Sequence, residues 1–250
     1  MSRGAPVGYR ESMESLIRLF LRQAWAEYSV ARRTRLRFRD GRNENAVRAY
    51  CAMTESEFEG INALQYWADR RVIPRSLRGR LPPRPCRAVD LCSGAGHSTE
   101  ILAACLPAGS EILGLEFNPA FVACAARRDY RGPDGRRARV SFRAQSVLET
   151  FRDAQGRPLE NGRLDLVNSC GALGIHFDAP ALDSLASEIA RVLRPGGLAT
   201  VDSGTEGVGG TEMVLIFRRH GFEARGSTKS CFLDRFTHLC LLKTAGLTGC

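Results

Sequence analysis

The fold of this 250-residue chain is decided by one stretch, Val89-Asp-Leu-Cys-Ser-Gly-Ala-Gly-His-Ser98. An apolar strand pattern over 88–92 runs directly into a glycine-rich turn, and a helical pattern follows at once. Gly94 and Gly96 allow a ligand to approach the backbone more closely than a residue with a side chain would. A strand, a glycine turn and a helix in this order predict a ligand site at the carboxyl end of a parallel sheet.

The rest of the chain from residue 87 onwards alternates between strand and helix patterns. Further strands are predicted at 111–116, 140–143, 164–168, 198–202, 222–231 and 237–242. This alternation predicts an α/β fold, a doubly wound and mostly parallel sheet with helices on both faces. The last two segments follow each other closely, which predicts an antiparallel hairpin at one edge of the sheet.

The first 80 residues are different in character, and we expect a helical, arginine-rich lid over 1–80 followed by the α/β domain over 81–250. One apolar stripe at helical spacing runs from about Ser12 to Val30, and a second helical stretch begins near Asn43. Thr54 and Glu57 have the spacing of a capping box for a helix that Pro74 should stop. Between the first two helices, residues 35–39 predict a short extended linker.

The distribution of charged residues and cysteines limits which kinds of partner and site this protein is expected to have. Residues 1–80 carry 16 arginines against 9 acidic residues, a local net charge of +7 within a chain of net charge +9. We interpret this excess as a solvated face, with nucleic acid or an anionic substrate as the alternative. The nine cysteines are scattered without a Cys-x-x-Cys pair, so neither disulfides nor a metal site are predicted. No apolar run is long enough to span a bilayer and no secretory signal opens the chain, so we expect a cytoplasmic protein without a membrane partner.

Two motifs resemble those of a known family. Asp90-Leu-Cys-Ser-Gly-Ala-Gly96 resembles motif I of the class I S-adenosylmethionine-dependent methyltransferases, (Asp/Glu)-x-Gly-x-Gly-x-Gly, with Cys92 replacing the first glycine. Leu193-Arg-Pro-Gly-Gly197 resembles the family's L-x-P-G-G turn before the fifth strand. A nicotinamide fingerprint would need a third glycine where Thr99 stands. The resemblance covers roughly residues 87–243 and implies a seven-stranded sheet.

The resemblance also implies S-adenosyl-L-methionine as the cofactor. Glu116, about twenty residues after the glycine turn, resembles the ribose-binding acid, and Phe117 the apolar neighbour that packs on adenine. Gln145 or Ser146 would serve the adenine amino group where the family often has an aspartate. Asn168 ends the fourth strand and is expected at the methionine end or at the acceptor. The full set of expected cofactor contacts is Asp90, Ser93, Gly94, Ala95, Gly96, Glu116, Phe117, Gln145, Ser146 and Asn168.

His176 is the candidate catalytic residue, because it follows the fourth strand and a histidine suits proton transfer at neutral pH. The structural alternative is that it caps a helix beginning near Asp178. His97 could touch a ligand, but we favour a place in the first turn of its helix. Aromatic side chains of the lid could wall an acceptor pocket, although such residues are more often core; they are Trp25, Tyr28, Tyr50, Tyr66 and Trp67.

The predicted function is methyl transfer to O or N of a small-molecule acceptor by in-line displacement, the acceptor being anionic or aromatic. An RNA or protein methyltransferase using the basic lid is the nearest alternative, and a non-catalytic S-adenosylmethionine-binding protein another. Residues 168–171 read Asn-Ser-Cys-Gly, unlike the Asn-Pro-Pro-Tyr motif of enzymes that methylate nucleic-acid amino groups. That difference argues against DNA adenine as the acceptor.

Overall fold

A computed structural model describes residues 13–34, 44–204, 207–231 and 236–245. The N-terminal third contributes four helices: α1 (Met13–Thr34), α2 (Glu44–Cys51), α3 (Glu55–Ile61) and α4 (Ala63–Leu77). The linker predicted at 35–39 lies outside the described residues. No described helix is both long and apolar enough to cross a bilayer.

The remaining elements alternate as the sequence predicts. The strands are β1 (Arg87–Leu91), β2 (Glu111–Glu116), β3 (Arg139–Ala144), β4 (Leu164–Ser169), β5 (Leu193–Ser203), β6 (Phe222–Thr228) and β7 (Thr237–Lys243). The helices between them are α5 (His97–Cys105), α6 (Pro119–Ala126), α7 (Leu173–His176), α8 (Ala179–Val192) and α9 (Gly210–Arg219).

All seven strands form one sheet in the order β3-β2-β1-β4-β5-β7-β6. The first five strands run parallel, and β7 pairs antiparallel with both β5 and β6. The predicted parallel sheet and its antiparallel edge hairpin are therefore confirmed. The strand order reverses between β1 and β4, and in doubly wound folds the crevice beside such a reversal is where ligands bind.

Helices cover both faces of the sheet, as predicted. On one face α8 and α9 bury side chains such as Leu185 and Phe217 against the strands. On the other face α4 and α5 do the same with Ile73, Leu77 and Leu102. Helix α4 thus belongs to the core of the sheet although it precedes residue 80. The division into 1–80 and 81–250 stays a prediction.

Two details of the lid correct the sequence-based expectation. The helix expected to run from the capping box is interrupted at Asn62, which has a φ of −99° and a ψ of 11°. Its side-chain Nδ2 donates to the carbonyl of Phe58 at 2.9 Å, in addition to its backbone amide. The capping box itself is confirmed, with the Glu57 amide donating to Thr54 Oγ1. Pro74 does not stop α4, which continues to Leu77. Burial of Ile73 and Leu77 stabilises this last turn, offsetting the one hydrogen bond that proline cannot donate.

The apolar stripe of α1 points outward. Val30 is buried, but Ile17, Phe20, Leu21 and Tyr28 from the predicted stripe are each more than half exposed. Helical periodicity groups side chains on one face without saying which face meets the core.

Candidate functional site

A cavity of about 550 Å³ lies at the carboxyl ends of β1, β2 and β4, beneath helices α2 to α4. Its volume is in the range of small-molecule sites. One side, called here the sheet wall, comprises Ser93, Gly94, Glu116, Phe117, Gln145 and Ser146. The opposite side, the lid wall, comprises Tyr50, Phe58, Gln65, Tyr66 and Asp69. His176 and Cys170 also line the cavity.

The glycine turn between β1 and α5 requires left-handed backbone at three positions. Cys92, Gly94 and Gly96 have φ values of 53°, 51° and 87°. A Cβ on Gly96 would lie 2.1 Å from the hydroxyl oxygen of Tyr130, and one on Gly94 would lie 2.6 Å from Cζ of Phe58. The turn therefore depends on glycine at 94 and 96 for conformation and for space, whereas Cys92 adopts a conformation that costs a non-glycine residue about 1–2 kcal/mol.

Glu116 joins the glycine turn to the end of β2. Its Oε2 accepts the amide of Gly94 at 3.0 Å, and its Oε1 accepts the amide of Asn118 at 2.9 Å. Burial raises the pKa of this carboxyl to about 7, against the opposing effect of these amides. A carboxylate has about four lone-pair sites, so these amides leave capacity for a ribose hydroxyl. Glu116 and the glycine turn therefore fit the adenosine part of the expected cofactor.

Asp90 and Asn168, predicted as cofactor contacts, lie behind the sheet wall. Asp90 accepts hydrogen bonds from Ser98 and Thr99 at 2.7 and 2.6 Å and from Asn168 Nδ2 at 2.8 Å. Asn168 Oδ1 in turn accepts from Thr200. All of these groups are buried, and they tie β1 to the first turn of α5 and to β4. Ala95 and Gly96 likewise stand outside the cavity lining, since the turn points them toward α6 and Tyr130.

Gln145 and Ser146 reach the cavity just after β3. Gln145 is committed to its own loop, because its Nε2 donates to the carbonyl of Thr150 at 2.7 Å and its Oε1 accepts the amide of Arg152. Ser146 Oγ accepts only the Leu148 amide, at 3.2 Å, among the described residues. Of the two, Ser146 retains more capacity to accept a hydrogen bond from a ligand.

His176 ends the short helix α7, which the sequence did not predict. Asp202 on β5 holds α7 in place by accepting the amides of Ala172, Leu173 and Gly174 at 3.1–3.3 Å. His176 Nε2 and Tyr50 Oη share a hydrogen bond of 3.1 Å. Burial lowers the pKa of His176 to about 4, so the ring is neutral at physiological pH.

The two alternatives weighed for the histidines have clear outcomes. Asp178, not His176, caps α8, with its Oδ1 accepting the amide of Ala181 at 2.9 Å. His97 occupies the first turn of α5, as favoured, and it also lines the cavity with its ring stacked 3.6 Å from that of Tyr66. Burial is the main cause that lowers its pKa to about 3.

Asp69 and Gln65 are cavity residues that sequence reasoning missed. Asp69 is 2% exposed, and Gln65 Nε2 donates to its Oδ1 at 2.6 Å. Burial raises the pKa of Asp69 to about 7. The sequence contained a signal for this site, because Asp69 lies between Tyr66 and Ile73 on one face of a predicted helix. An acidic residue on an apolar face is unusual and indicates a partner or a functional role.

The cavity thiols are not activated. Burial is the largest cause that raises the pKa of Cys92 and of Cys170 well above the ordinary thiol value, and neighbouring carboxylates raise both further. Both stay protonated at neutral pH, and the thiolate is the nucleophilic form. Among the described residues, no group of three or more His, Cys, Asp or Glu is arranged to hold a metal ion.

Comparisons with known proteins agree with this geometry. Residues 88–197 match the family model described as a methyltransferase domain. The chain is 31% identical over 134 residues to an arsenite methyltransferase from Aquipseudomonas alcaligenes, covering 53% of this chain and 35% of that protein. It is 34% identical over 143 residues to a malonyl-[acyl-carrier protein] O-methyltransferase from Methylococcus capsulatus, covering 56% and 44%. Each match spans less than half of the curated relative's length.

A solved structure extends the likeness to nearly the whole fold. Magnesium protoporphyrin IX methyltransferase (ChlM) from Synechocystis PCC 6803, with bound SAH, superposes with a TM-score of 0.59. The match covers 90% of this chain and 99% of that one at 11% identity, which shows a shared fold. Together with the glycine turn and the carboxylate at the end of β2, the family model shows that residues 88–197, less than half of the chain, are similar to a methyltransferase domain.

Proposed function

We propose that this protein transfers a methyl group from S-adenosylmethionine to O or N of a small, uncharged or aromatic molecule held between the sheet wall and the lid wall. The observation that carries the proposal is the hydrogen bond from the Gly94 amide to Glu116, since both residues line the cavity beneath the lid helices. When bound, the cofactor supplies a methyl group made electrophilic by its sulfonium sulfur.

The sheet wall is the proposed cofactor side. Glu116 would accept the ribose hydroxyls, Phe117 would pack on the adenine, and Ser146 would accept from its amino group. Ser93 and Gly94 line the cavity beside Cys92 and provide the place for the methionine end. Asp90 and Asn168 support this side from behind by fixing the glycine turn between β1, α5 and β4.

The lid wall is the proposed acceptor side. It is rich in aromatic rings. Among the described residues that line the cavity there are two carboxyls, Asp69 and Glu116, and a single arginine, Arg48. This balance supports an uncharged acceptor over the anionic one considered from the sequence. A concave cavity of about 550 Å³ between the two walls supports a small molecule over RNA or a protein.

His176 is the proposed proton acceptor for a hydroxyl or amine at the lid wall. It is neutral, lines the cavity, and is oriented by Tyr50 and by the Asp202 anchor of α7. Excluding water around such a group strengthens its interactions with the acceptor. Asp69 is the second candidate, because a carboxyl with a pKa of about 7 is matched to proton transfer at neutral pH.

Calorimetry and methyl transfer together test the proposal. Titration with S-adenosylmethionine, S-adenosylhomocysteine and NADH should show binding of the first two only. Labelled methyl groups should then appear in at least one member of a panel of small phenols and aromatic amines, and not in the matching aromatic acids. Cofactor binding without turnover would support a non-catalytic protein, and salt-sensitive RNA binding with methylated RNA would support the macromolecular alternative.

A further inference from the structure

The outward face of α1 exposes five large apolar side chains side by side. Exposed fractions are 56% for Ile17, 60% for Phe20, 61% for Leu21, 71% for Trp25 and 56% for Tyr28. Elsewhere in the described chain, only Leu148 and Leu215 are large apolar residues of comparable exposure. A contiguous apolar patch of this kind on a folded protein marks an interaction surface.

The helix cannot turn this face inward, because its opposite side is already packed. Val30 is 1% exposed and belongs to one apolar cluster with Phe58 and Phe121. The Cβ of Ala26 lies so close to α3 that a Cβ on Gly60 would stand 2.7 Å away. The outer face is therefore a fixed feature of the docked helix.

A row of arginines borders the outer face. At 100° per residue, Arg18, Arg22 and Arg32 lie together along the edge of the apolar sector that carries Leu21 and Trp25. All three are exposed, and none forms an ion pair with another described residue. The helix thus presents an apolar sector with positive charge along one edge, while Glu27 lies beside Phe20 at the other edge.

We propose that the outer face of α1 binds the surface of an anionic phospholipid bilayer, with the helix lying in the plane of the interface. An apolar sector containing tryptophan beside a basic edge is the composition of helices that lie at such interfaces. Trp25 and Tyr28, whose ring centroids are 6.0 Å apart, bring the amphipathic rings that favour the headgroup level. The proposal departs from the sequence-based expectation of no membrane partner, which rested on the absence of a spanning segment; a helix lying in the interface needs none.

The arginine edge favours lipid over a second copy of the chain. Two α1 helices pairing antiparallel through their outer faces would set arginine edge against arginine edge, which like charges oppose. An anionic headgroup layer instead attracts each arginine, by about 1 kcal/mol per residue near the surface. Binding of the full-length chain should therefore require both the apolar sector and negative lipid charge.

Co-sedimentation of the full-length protein with vesicles tests the proposal. Vesicles of phosphatidylcholine with about a third phosphatidylglycerol should bind the protein, more weakly at high salt, while pure phosphatidylcholine should bind it far less. Trp25 fluorescence should shift to the blue on binding. The double variant Phe20→Glu/Trp25→Glu should lower the partition coefficient by about tenfold or more. Arg18→Glu/Arg22→Glu should remove the preference for anionic vesicles.

Leu215→Glu is the matched control, since Leu215 is 50% exposed on α9 and lies outside this surface. It should bind vesicles like the parent, and circular dichroism should show every variant folded. No sedimentation with anionic vesicles, or an equal loss in Leu215→Glu, would overturn the proposal. A dimer that dissociates on Phe20→Glu/Trp25→Glu, without vesicle binding, would assign the face to a second copy instead.

Discussion

The two walls of the cavity are held by different forces. The sheet wall is fixed by backbone hydrogen bonds, in which the amides of Gly94 and Asn118 bracket Glu116. The lid wall is fixed by ring packing, with Phe58 centred 4.2 Å from Phe121 and Tyr66 stacked on His97. Backbone amides are present in every sequence, whereas ring packing depends on side chains from distant segments. The sheet wall therefore suits a cofactor that many related proteins share. The lid wall suits an acceptor that differs from one protein to the next.

The largest expected effect concerns proton transfer at the lid wall. With His176 as the proton acceptor, His176→Ala should lower kcat by about 10²–10⁴-fold while leaving cofactor affinity intact. Because its pKa is about 4, kcat at saturating substrates should be flat above about pH 5. Steady-state rates between pH 5 and 8 check this.

The same profile distinguishes the second candidate. An acid with a pKa of about 7 loses its ability to accept a proton as the pH falls below that value. If kcat instead declines below pH 7, and Asp69→Asn removes both the inflection and most of the rate, the role passes from His176 to Asp69. Either outcome is consistent with an acceptor bound at the lid wall. Normal rates in both variants would mean that neither residue accepts the proton, and the lid wall would lose its proposed role in the reaction.

The next effect is on the backbone geometry of the sheet wall. Gly96→Ala should lower the free energy of unfolding by about 3–5 kcal/mol, since it adds a clash with the Tyr130 hydroxyl to an unfavourable φ. Gly79→Ala is the control, because Gly79 has a φ of 69° with nothing within 4 Å of its Cβ position. It should lose only about 1–2 kcal/mol. Equal losses in urea unfolding would mean that the turn is not tightly packed.

The third prediction concerns the carboxylate of the sheet wall. Glu116→Gln should raise the dissociation constant for S-adenosylhomocysteine by about 10–100-fold, which corresponds to about 1–3 kcal/mol. Because the pKa of Glu116 is about 7, binding to the parent should weaken as the pH falls through 7 and the carboxyl gains a proton.

Calorimetry at several pH values measures both effects. Glu111→Gln is the control, since Glu111 is exposed at the opposite end of β2. Its affinity should match the parent at every pH. An unchanged affinity in Glu116→Gln would remove the sheet wall from the cofactor site.

The smallest effect tests the strained residue of the glycine turn. Cys92→Gly should be more stable than Cys92→Ala by about 1 kcal/mol, because only glycine adopts a φ of 53° without penalty. At Cys105, in the last turn of α5, the order should reverse by about the same amount. The same order at both positions, measured by urea unfolding, would contradict a left-handed Cys92.

The sequence predicts the sheet wall well because its determinants are local. The apolar run before the glycine turn and the acid about twenty residues on are adjacent in strand register, and β1 pairs directly with β2. Asp90 and Asn168, which the sequence predicts as cofactor contacts, lie outside the cavity lining and hydrogen-bond to each other. The position of a residue in a strand does not say whether its side chain points into the ligand cavity or into the protein core. Both side chains point into the core, where they hydrogen-bond to buried groups.

The lid wall was harder to predict because its contacts are distant in sequence. Tyr50 meets His176 across 126 positions, and no local pattern announces such a pair. The end of α4 was missed for a related reason, since the rule that proline stops a helix gives way where Ile73 and Leu77 are buried against the sheet. The direction of α1 was also not predictable locally, because Ala26 packs against Gly60 of α3, a contact between distant segments that helical periodicity does not reveal.

Because α4 forms part of the sheet's core while α3 does not, the chain has a natural junction at Asn62 for building hybrid enzymes. A chimera that exchanges residues up to Asn62 with those of a relative would leave Ile73 and Leu77 in place beneath the strands. A junction near residue 80 would instead remove that layer and strip the fold of its cover. Laboratory evolution of new substrate preferences should therefore randomise the segment before Asn62 and the cavity side of α4 as separate libraries.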